Sequence, residues 1–383
     1  MTHAAGGPAR FTVRVPSAPS YEVHVAPGSL ADIGRRHLEA FAGAQPFVLT
    51  DSRVGERHGP ALRAAFAAAG LAPEFLTVAE GEPSKSLATF ERLIGELGRL
   101  GADRRAVLHC FGGGMVSDLG GFVASAYMRG IRYVNVATSL IGQLDASVGG
   151  KVAVNVPAAK NLVGAFHHPS LVLCDPNLLA TLGPRDFRSG IAEAIKVAVI
   201  ASAPLFSFLC TNRDALVARD PTTLATLVFE AARLKMELIG ADPYESDLRR
   251  PLNFGHTVGH ALEAALAYRG LRHGEAVAVG MAIATELARR RRLLADGDAA
   301  AILTLLCRYD LVNLVDEFPT ARVANHFRTI RLIRGGHLHF VLPVAFGRVE
   351  FTDDVTTHEL GEAFLAVRNA MEEGSFRHAA SSS

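Results

Sequence analysis

The feature that most constrains this chain is a change in its hydrophobic rhythm near residue 183. From residue 11 onward, short apolar runs alternate with helical ones: FTVRV, YEVHV, PFVLTD, PALRAAFAAAG, EFLTVA, SLATFERLIGELGRLG and AVLHCFGGG. The first two runs read as a hairpin. The later strands are separated by helix-length segments, the connection that parallel neighbours require, so a parallel sheet covered on both faces is expected. Beyond residue 183 the strands give out. PRDFRSGIAEAIKVAVIAS, TTLATLVFEAARLKMELIGAD, TVGHALEAALAY, GEAVAVGMAIATELARRRRLL and AAAILTLLCRYDL carry apolar residues at helical spacing, and only LHFVLPVAF reads as a late strand. The expectation is a Rossmann-like α/β domain over residues 11–183, then a mostly α-helical domain over residues 184–373, with a cleft between them. A chain of 383 residues is long enough for two such cores.

Charge and cysteine usage exclude several classes of function. The formal net charge is +1, which supplies no field to hold nucleic acid or an anionic membrane. Cys110, Cys174, Cys210 and Cys307 are scattered through apolar surroundings, with neither CxxC spacing nor a disulfide framework. The opening MTHAAGGPARF lacks a basic-then-apolar signal pattern, and no apolar run reaches membrane-spanning length. A soluble cytoplasmic protein with reduced thiols is expected.

The first chemical motif is HCFGGGMVSDLGGF, which runs strand, glycines, helix. Gly112, Gly113 and Gly114 allow close backbone approach, and the helix N-terminus behind them can face a pyrophosphate. This is not a GxGxxG fingerprint, and a tight turn with no ligand explains it as well on its own terms. Asp51 at a strand end suits a ribose, and Glu82, Lys85, Thr138 and Ser139 add polar groups near strand ends, which favours a dinucleotide there. LDASVGGKVAVN and AAKNLVGAF follow, bringing Asp145, Lys151, Lys160 and Asn161 beside glycine turns. Ammonium and backbone donors converging in that way suit a phosphate. Ordinary surface lysines are the plainer reading of each taken alone.

The second constellation is spread over three helices. NFGHTVGHALEA sets His256 and His260 on one helical face, GIAEAIK sets Glu193 and Lys196 three residues apart on an apolar helix, and LRHGEAVAVG offers His273 at a helix start. A carboxylate on an apolar helix needs a partner. That partner is either Lys196 or a cation shared with the histidines. Two imidazoles and one carboxylate make a catalytic rather than a structural zinc composition. Spacing alone does not bring the three helices together.

Taken together, FGGGMVSDLGGF, AYMRGIRYVNVATSL, DASVGGK, KNLVGAF, SGIAEAIK, LRRPLNFGHTVGHALEA and RHGEAVAVGM resemble the 3-dehydroquinate synthases, within the sugar phosphate cyclases, over residues 20–355. The resemblance implies a lyase dependent on NAD and on zinc or cobalt. Such an enzyme closes a seven-carbon sugar phosphate into a carbocycle with loss of phosphate and no net redox change. By motif, Glu193, His256 and His273 correspond to metal ligands. Asp51, Glu82, Lys85, Gly113, Gly114, Asp118, Thr138 and Ser139 correspond to NAD contacts. Asp145, Lys196, Lys235 and His260 correspond to catalytic positions, His260 lying beside the substrate rather than on the metal. Lys151, Lys160, Asn161, Arg249 and Asn253 correspond to substrate contacts, and Arg129 to a residue that reaches the phosphate of a neighbouring subunit, implying a homodimer.

The sequence also departs from that pattern. Ile330-Arg331-Leu332 stands where the family usually carries Asp-Lys-Lys, so Arg331 replaces a pocket lysine with a wider fork. Val152, Ala137 and Ala146 replace a usual threonine, proline and serine. Arg249 is kept, which points to an acid substrate, 3-deoxy-arabino-heptulosonate 7-phosphate, and hence to 3-dehydroquinate. The rival within the fold is a secondary-metabolic cyclase acting on sedoheptulose 7-phosphate or on the amino analogue. The rival of another class is a metal-dependent polyol dehydrogenase.

Overall fold

Pro46–Asp51 and Val107–Gly112 bury every side chain, as strands covered on both faces must. The computed structural model describes residues 9–15, 18–157, 159–240, 242, 244, 247, 249–312, 315–333 and 336–373. Its strands are β1 (Ala9–Val15), β2 (Ala18–Val25), β3 (Pro46–Asp51), β4 (Glu74–Val78), β5 (Val107–Gly112), β6 (Arg132–Ala137), β7 (Lys151–Val156), β8 (Ala159–Phe166), β9 (Leu171–Cys174), β10 (Phe340–Ala345) and β11 (Arg348–Thr352). One seven-stranded sheet runs in the order β1-β2-β9-β6-β5-β3-β4. The pair β1-β2 is antiparallel, as the opening hairpin pattern required, and every other pairing in the sheet is parallel. β7-β8 and β10-β11 are separate antiparallel hairpins.

Strand order reverses beside β3. The chain steps outward to β4, returns past β3 to β5, and continues to β6 and β9. The carboxyl ends of β3 and β5 therefore flank a topological switch point, where open α/β sheets bind ligands. Asp51 and the glycine run lie at those two ends.

The chain divides into two compact units, Met1–Leu182 with Ala215–Tyr244, and Gly183–Asp214 with Glu245–Ser383. The division at residue 183 falls where the rhythm changes. The helix Pro221–Ile239 belongs with the first unit, although the sequence reading grouped it with the helical remainder. Its buried face (Leu224, Leu227, Val228, Ala231) packs on the turns at Gly142–Ala146 and Pro176–Thr181. Periodicity marks a helix's apolar face but not the core that receives it. Among the described residues, no helix is long and apolar enough to cross a membrane.

The second unit is built on three helices, Pro184–Ala201, His256–Ala265 and His273–Arg290. Every residue from Ser189 to Ile200 is buried, so that helix is covered all round, and its apolar residues outnumber the buried Ser189, Glu193 and Lys196. Glycines set how closely the helices approach. A Cβ on Gly280 would collide with the carbonyl oxygen of Gly255, and one on Gly274 with the carbonyl oxygen of Ser189. Gly255 itself adopts φ +76°, in the left-handed region that favours glycine.

The first unit also buries a histidine pair. His37 Nε2–H donates to the carbonyl of Ala44 at 2.9 Å, so its Nδ1 accepts from His109 Nε2–H at 3.0 Å. Burial lowers both imidazoles from their ordinary value, which keeps the folded pair neutral. The unfolded chain therefore binds more protons once the pH falls below about 6.5. The pair's contribution is complete above that pH and is lost as the pH falls toward the depressed folded values. His109→Leu should cost roughly 1–3 kcal/mol at pH 8 by orphaning His37 Nδ1. It should also reduce the acid-side slope of stability by up to about 1.4 kcal/mol per pH unit. Urea unfolding from pH 8 to pH 5 measures both, and an unchanged slope would contradict the assignment.

Candidate active site

In the first unit, β5 ends at Gly112 and the helix Gly114–Ala126 begins two residues later, with Gly113 as its N-cap. A Cβ on Gly112 would press into Val116, and one on Gly114 would come within 3.0 Å of the Ala146 methyl. The strand-to-helix turn thus leaves bare backbone where the sequence reading placed a pyrophosphate. Thr138 is buried, its N–H donating to the Gly112 carbonyl at 2.9 Å, while Ser139 Oγ accepts from the N–H of Gly142. Asp51 has a structural task as well. Its Oδ1 accepts from the N–H groups of Arg53 and Val54, both at 3.0 Å, capping the helix Ser52–Ala67.

Lys85 gathers the rest of this group. Its side chain is buried, and its ammonium donates to Asp118 at 2.5 Å and to the amide oxygen of Asn161. Burial raises the Asp118 carboxyl above its ordinary range, and the charge of Lys85 opposes that shift. Asn161 sits at φ +54° in the left-handed region, which asparagine tolerates better than most residues. Asn155 was not singled out from sequence, yet it ties this region together. Its amide donates to Glu82 Oε1 at 2.7 Å, and its oxygen accepts from the N–H of Asn161.

A π-helical turn at Gly142–Ala146, a distortion frequently found at functional sites, leads into the DASVGGK segment. It carries Asp145, whose carboxylate meets Lys235 at 2.5 Å, and Lys235 also donates to the carbonyls of Asp145 and Val148. Lys151 is exposed and Lys160 partly buried, on the two strands of the β7-β8 hairpin. Arg129 is exposed on a turn in which Met128 and Arg129 both take left-handed φ values, +49° and +66°. Two consecutive non-glycine residues in that region store strain of the kind associated with functional sites.

In the second unit the three helices bring Glu193, His256 and His273 together. Glu193 is fully buried, and its Oε1 has no hydrogen-bond partner. Its charge faces Lys196 at 2.5 Å. Its Oε1 lies 3.7 Å from His256 Nε2 and 3.6 Å from His273 Nε2. Those separations are too long for hydrogen bonds. They match two ligands of one tetrahedral cation, which at bond lengths of about 2.0–2.2 Å sit roughly 3.4 Å apart. The Nδ1 atoms are already committed, His256 to the carbonyl of Phe254 and His273 to the carboxylate of Glu263, each at 3.2 Å.

Burial, with Lys196 and the two neighbouring imidazoles adding, pushes His256 well below its ordinary value. For His273, burial pulls downward, but the bond to Glu263 and the charge of Glu193 outweigh it. His260 is exposed, and its ring nitrogen falls within the 4.8 Å cluster formed with His256 and His273. Asn253 closes a short turn at Pro251–Asn253, just before the helix that carries the histidines.

Two expected substrate contacts have other surroundings. Arg249 is paired with Asp247, whose carboxylate accepts from its Nε at 3.3 Å and its Nη2 at 3.1 Å. Arg331 occupies the last turn of the helix Thr320–Ile333 and lines a surface groove with Phe327, Arg328, Asp353 and Thr356. That lining includes none of Glu193, His256 or His273.

The N-terminal model of 3-dehydroquinate synthase matches residues 75–189, and the C-terminal model matches residues 190–329. The chain belongs to the 3-dehydroquinate synthase family of sugar phosphate cyclases, enzymes that close a ring with elimination of phosphate and use NAD. It is 43% identical to a 2-epi-valiolone synthase of Actinosynnema mirum, over 93% of this chain and 94% of the relative. It is 41% identical to a 3-dehydroquinate synthase of Symbiobacterium thermophilum, over 91% and 98%. Among solved structures it is similar to ValA, the 2-epi-5-epi-valiolone synthase of Streptomyces hygroscopicus subsp. jinggangensis 5008 with NAD+ and Zn2+ bound. That comparison gives a TM-score of 0.85 and 31% identity, covering 94% of this chain and 99% of ValA.

The Lys85–Asp118 pair supplies a test of the first group. Removing one partner of a buried pair costs about 3–5 kcal/mol because the other charge is left uncompensated. Lys85→Met and Asp118→Asn should therefore each destabilise more than their combination implies. A coupling of about 0.5–3 kcal/mol is expected from the double-mutant cycle. Strict additivity in urea unfolding would remove the pair.

Proposed function

We propose that this chain closes a seven-carbon sugar phosphate into a carbocycle, releasing inorganic phosphate and leaving NAD unchanged overall. The observation that carries the proposal is the convergence of His256 and His273 on Oε1 of the buried Glu193 carboxylate, an oxygen with no hydrogen-bond partner. These three residues would hold a divalent cation, zinc or cobalt. Gly113, Gly114, Asp118, Thr138 and Ser139, with Glu82, Lys85 and Asp51, would hold NAD against the bare backbone after β5. When bound, the cation would polarise substrate oxygens and the nicotinamide would accept and return a hydride.

The remaining work falls to the chain's own side chains. Lys196, paired with Glu193 in the second unit, and Lys235, held by Asp145 in the first, would each offer an amine to a substrate oxygen. In the first unit Lys151, Lys160 and Asn161 suit an anionic phosphate, since ammonium and amide groups donate to its oxygens, and in the second His260 offers an imidazole of the same use. Arg129, on its strained turn, fits the phosphate of a second copy of the chain, which makes a homodimer the expected assembly.

The choice of substrate turns on Arg249. Taken from sequence, it favours an acid. In the folded chain its guanidinium already faces the carboxylate of Asp247, which neutralises part of the charge that a substrate carboxylate would seek. We therefore favour sedoheptulose 7-phosphate and a valiolone-type product, a reading also supported by relatives named 2-epi-valiolone synthase. Both partners are largely exposed, and pairs of that kind are worth under about 1 kcal/mol. Asp247 therefore tilts the preference without forbidding an acid. The second reading, 3-deoxy-arabino-heptulosonate 7-phosphate giving 3-dehydroquinate, is supported by the presence of Arg249 and Asn253 and by relatives named for that activity.

Phosphate release by purified protein, supplied with NAD and zinc and offered each substrate in turn, decides between them. Turnover of sedoheptulose 7-phosphate alone supports the favoured reading, and turnover of the acid alone supports the second. Steady accumulation of NADH would instead identify a dehydrogenase. His273→Ala should lower turnover by at least 100-fold in the same assay, on the order expected when a metal site is disrupted. Full activity in that variant would dismiss the ligand set.

A further inference from the structure

The three proposed ligands are not equally constrained. The side chain of Glu193 is fully buried and that of His256 is 13% exposed, but that of His273 is 36% exposed. His273 is also the first residue of its helix, where less of the preceding turn restricts the side chain. An imidazole so placed loses rotamer freedom when it binds a cation, and that loss opposes binding. The structure supplies a restraint. Glu263, on the adjacent helix His256–Ala265, is 7% exposed, and its Oε2 lies 3.2 Å from His273 Nδ1.

An ionised carboxylate can only accept, so this contact fixes the proton of His273 on Nδ1. The lone pair then sits on Nε2, the atom facing Glu193. The carbonyl of Phe254 fixes the tautomer of His256 in the same sense. The two anchors differ in kind, because a backbone carbonyl is a neutral dipole, whereas the Glu263 carboxylate is charged and makes the ring a stronger donor. From this geometry we propose that Glu263 is the positioning residue of the metal site, holding His273 in the one tautomer and ring orientation that can ligate. The proposal rests on the reading of Glu193, His256 and His273 as ligands.

Metal affinity of the metal-free protein, measured by zinc competition against a chromophoric chelator, tests the inference without recourse to turnover. Glu263→Ala should bind zinc 10–100-fold more weakly, the usual cost of losing an outer carboxylate, while still binding one ion per chain. Glu263→Gln keeps an oxygen that can accept from Nδ1–H but lacks the charge, so its affinity should fall between the two. Circular dichroism of each metal-free variant establishes that it is folded, and cobalt(II) absorption reports the ligand geometry directly. The visible cobalt bands should shift in Glu263→Ala and return toward the native spectrum in Glu263→Gln.

Native zinc affinity and an unshifted cobalt spectrum in Glu263→Ala would overturn the proposal, with the ligand set left standing. Native chain that binds no zinc, or Glu193→Ala that binds it normally, would overturn the ligand set itself and the proposal with it. If Glu263→Ala does not fold, the Glu263→Gln affinity decides alone, and a native value there overturns the proposal.

Discussion

One buried charge organises the second half of this molecule. Glu193 lies on a helix with no solvent-facing side along its middle turns, and an uncompensated carboxylate in such a place costs several kcal/mol or more. Lys196 supplies the first compensation, and the neighbouring helices bring two imidazole nitrogens to the same oxygen. The arrangement leaves one carboxylate oxygen, Oε1, without a hydrogen bond. That deficit is what a cation would repair, and it binds the stability of this unit to its chemistry.

Bringing three helices within ligand distance requires close backbone approach. The glycines at 255, 274 and 280 permit it, each at a point where a Cβ would meet a neighbouring carbonyl oxygen. The residues adjoining them in sequence are the ones that matter chemically: Gly255 precedes His256 and Gly274 follows His273. The same positions thus fix helix packing and aim the imidazoles. The first unit solves a related problem differently. Its cations and carboxylates, Lys85 with Asp118 and Lys235 with Asp145, are paired in place, and an asparagine at 155 joins the turn at Glu82 to the hairpin that carries Lys151, Lys160 and Asn161.

Much of this was legible from residue order. The strand–helix alternation gave the parallel sheet, and the glycine run at residues 112–114 marked the carboxyl end of an interior strand, β5. GIAEAIK, NFGHTVGH and RHGEAV named the three ligand candidates. The supporting residues were not legible. Glu263 looks like an ordinary helical acid until its neighbour across the helix interface is known, and Asn155 like any strand residue. Asp247 reads as a surface charge two positions before Arg249, and only the folded turn reveals that its carboxylate meets the guanidinium.

Sequence by itself therefore determined the elements and the chemical types at each candidate position, because periodicity, glycine placement and side-chain identity are local properties. Tertiary structure decided the partnerships. Which core receives the helix Pro221–Ile239, which carboxylate orients His273, and what faces Arg249 depend on distances between residues whose separation along the chain carries no geometric information. The charge that Arg249 presents lies in that second category, since a guanidinium that a neighbouring carboxylate has reached is partly neutralised.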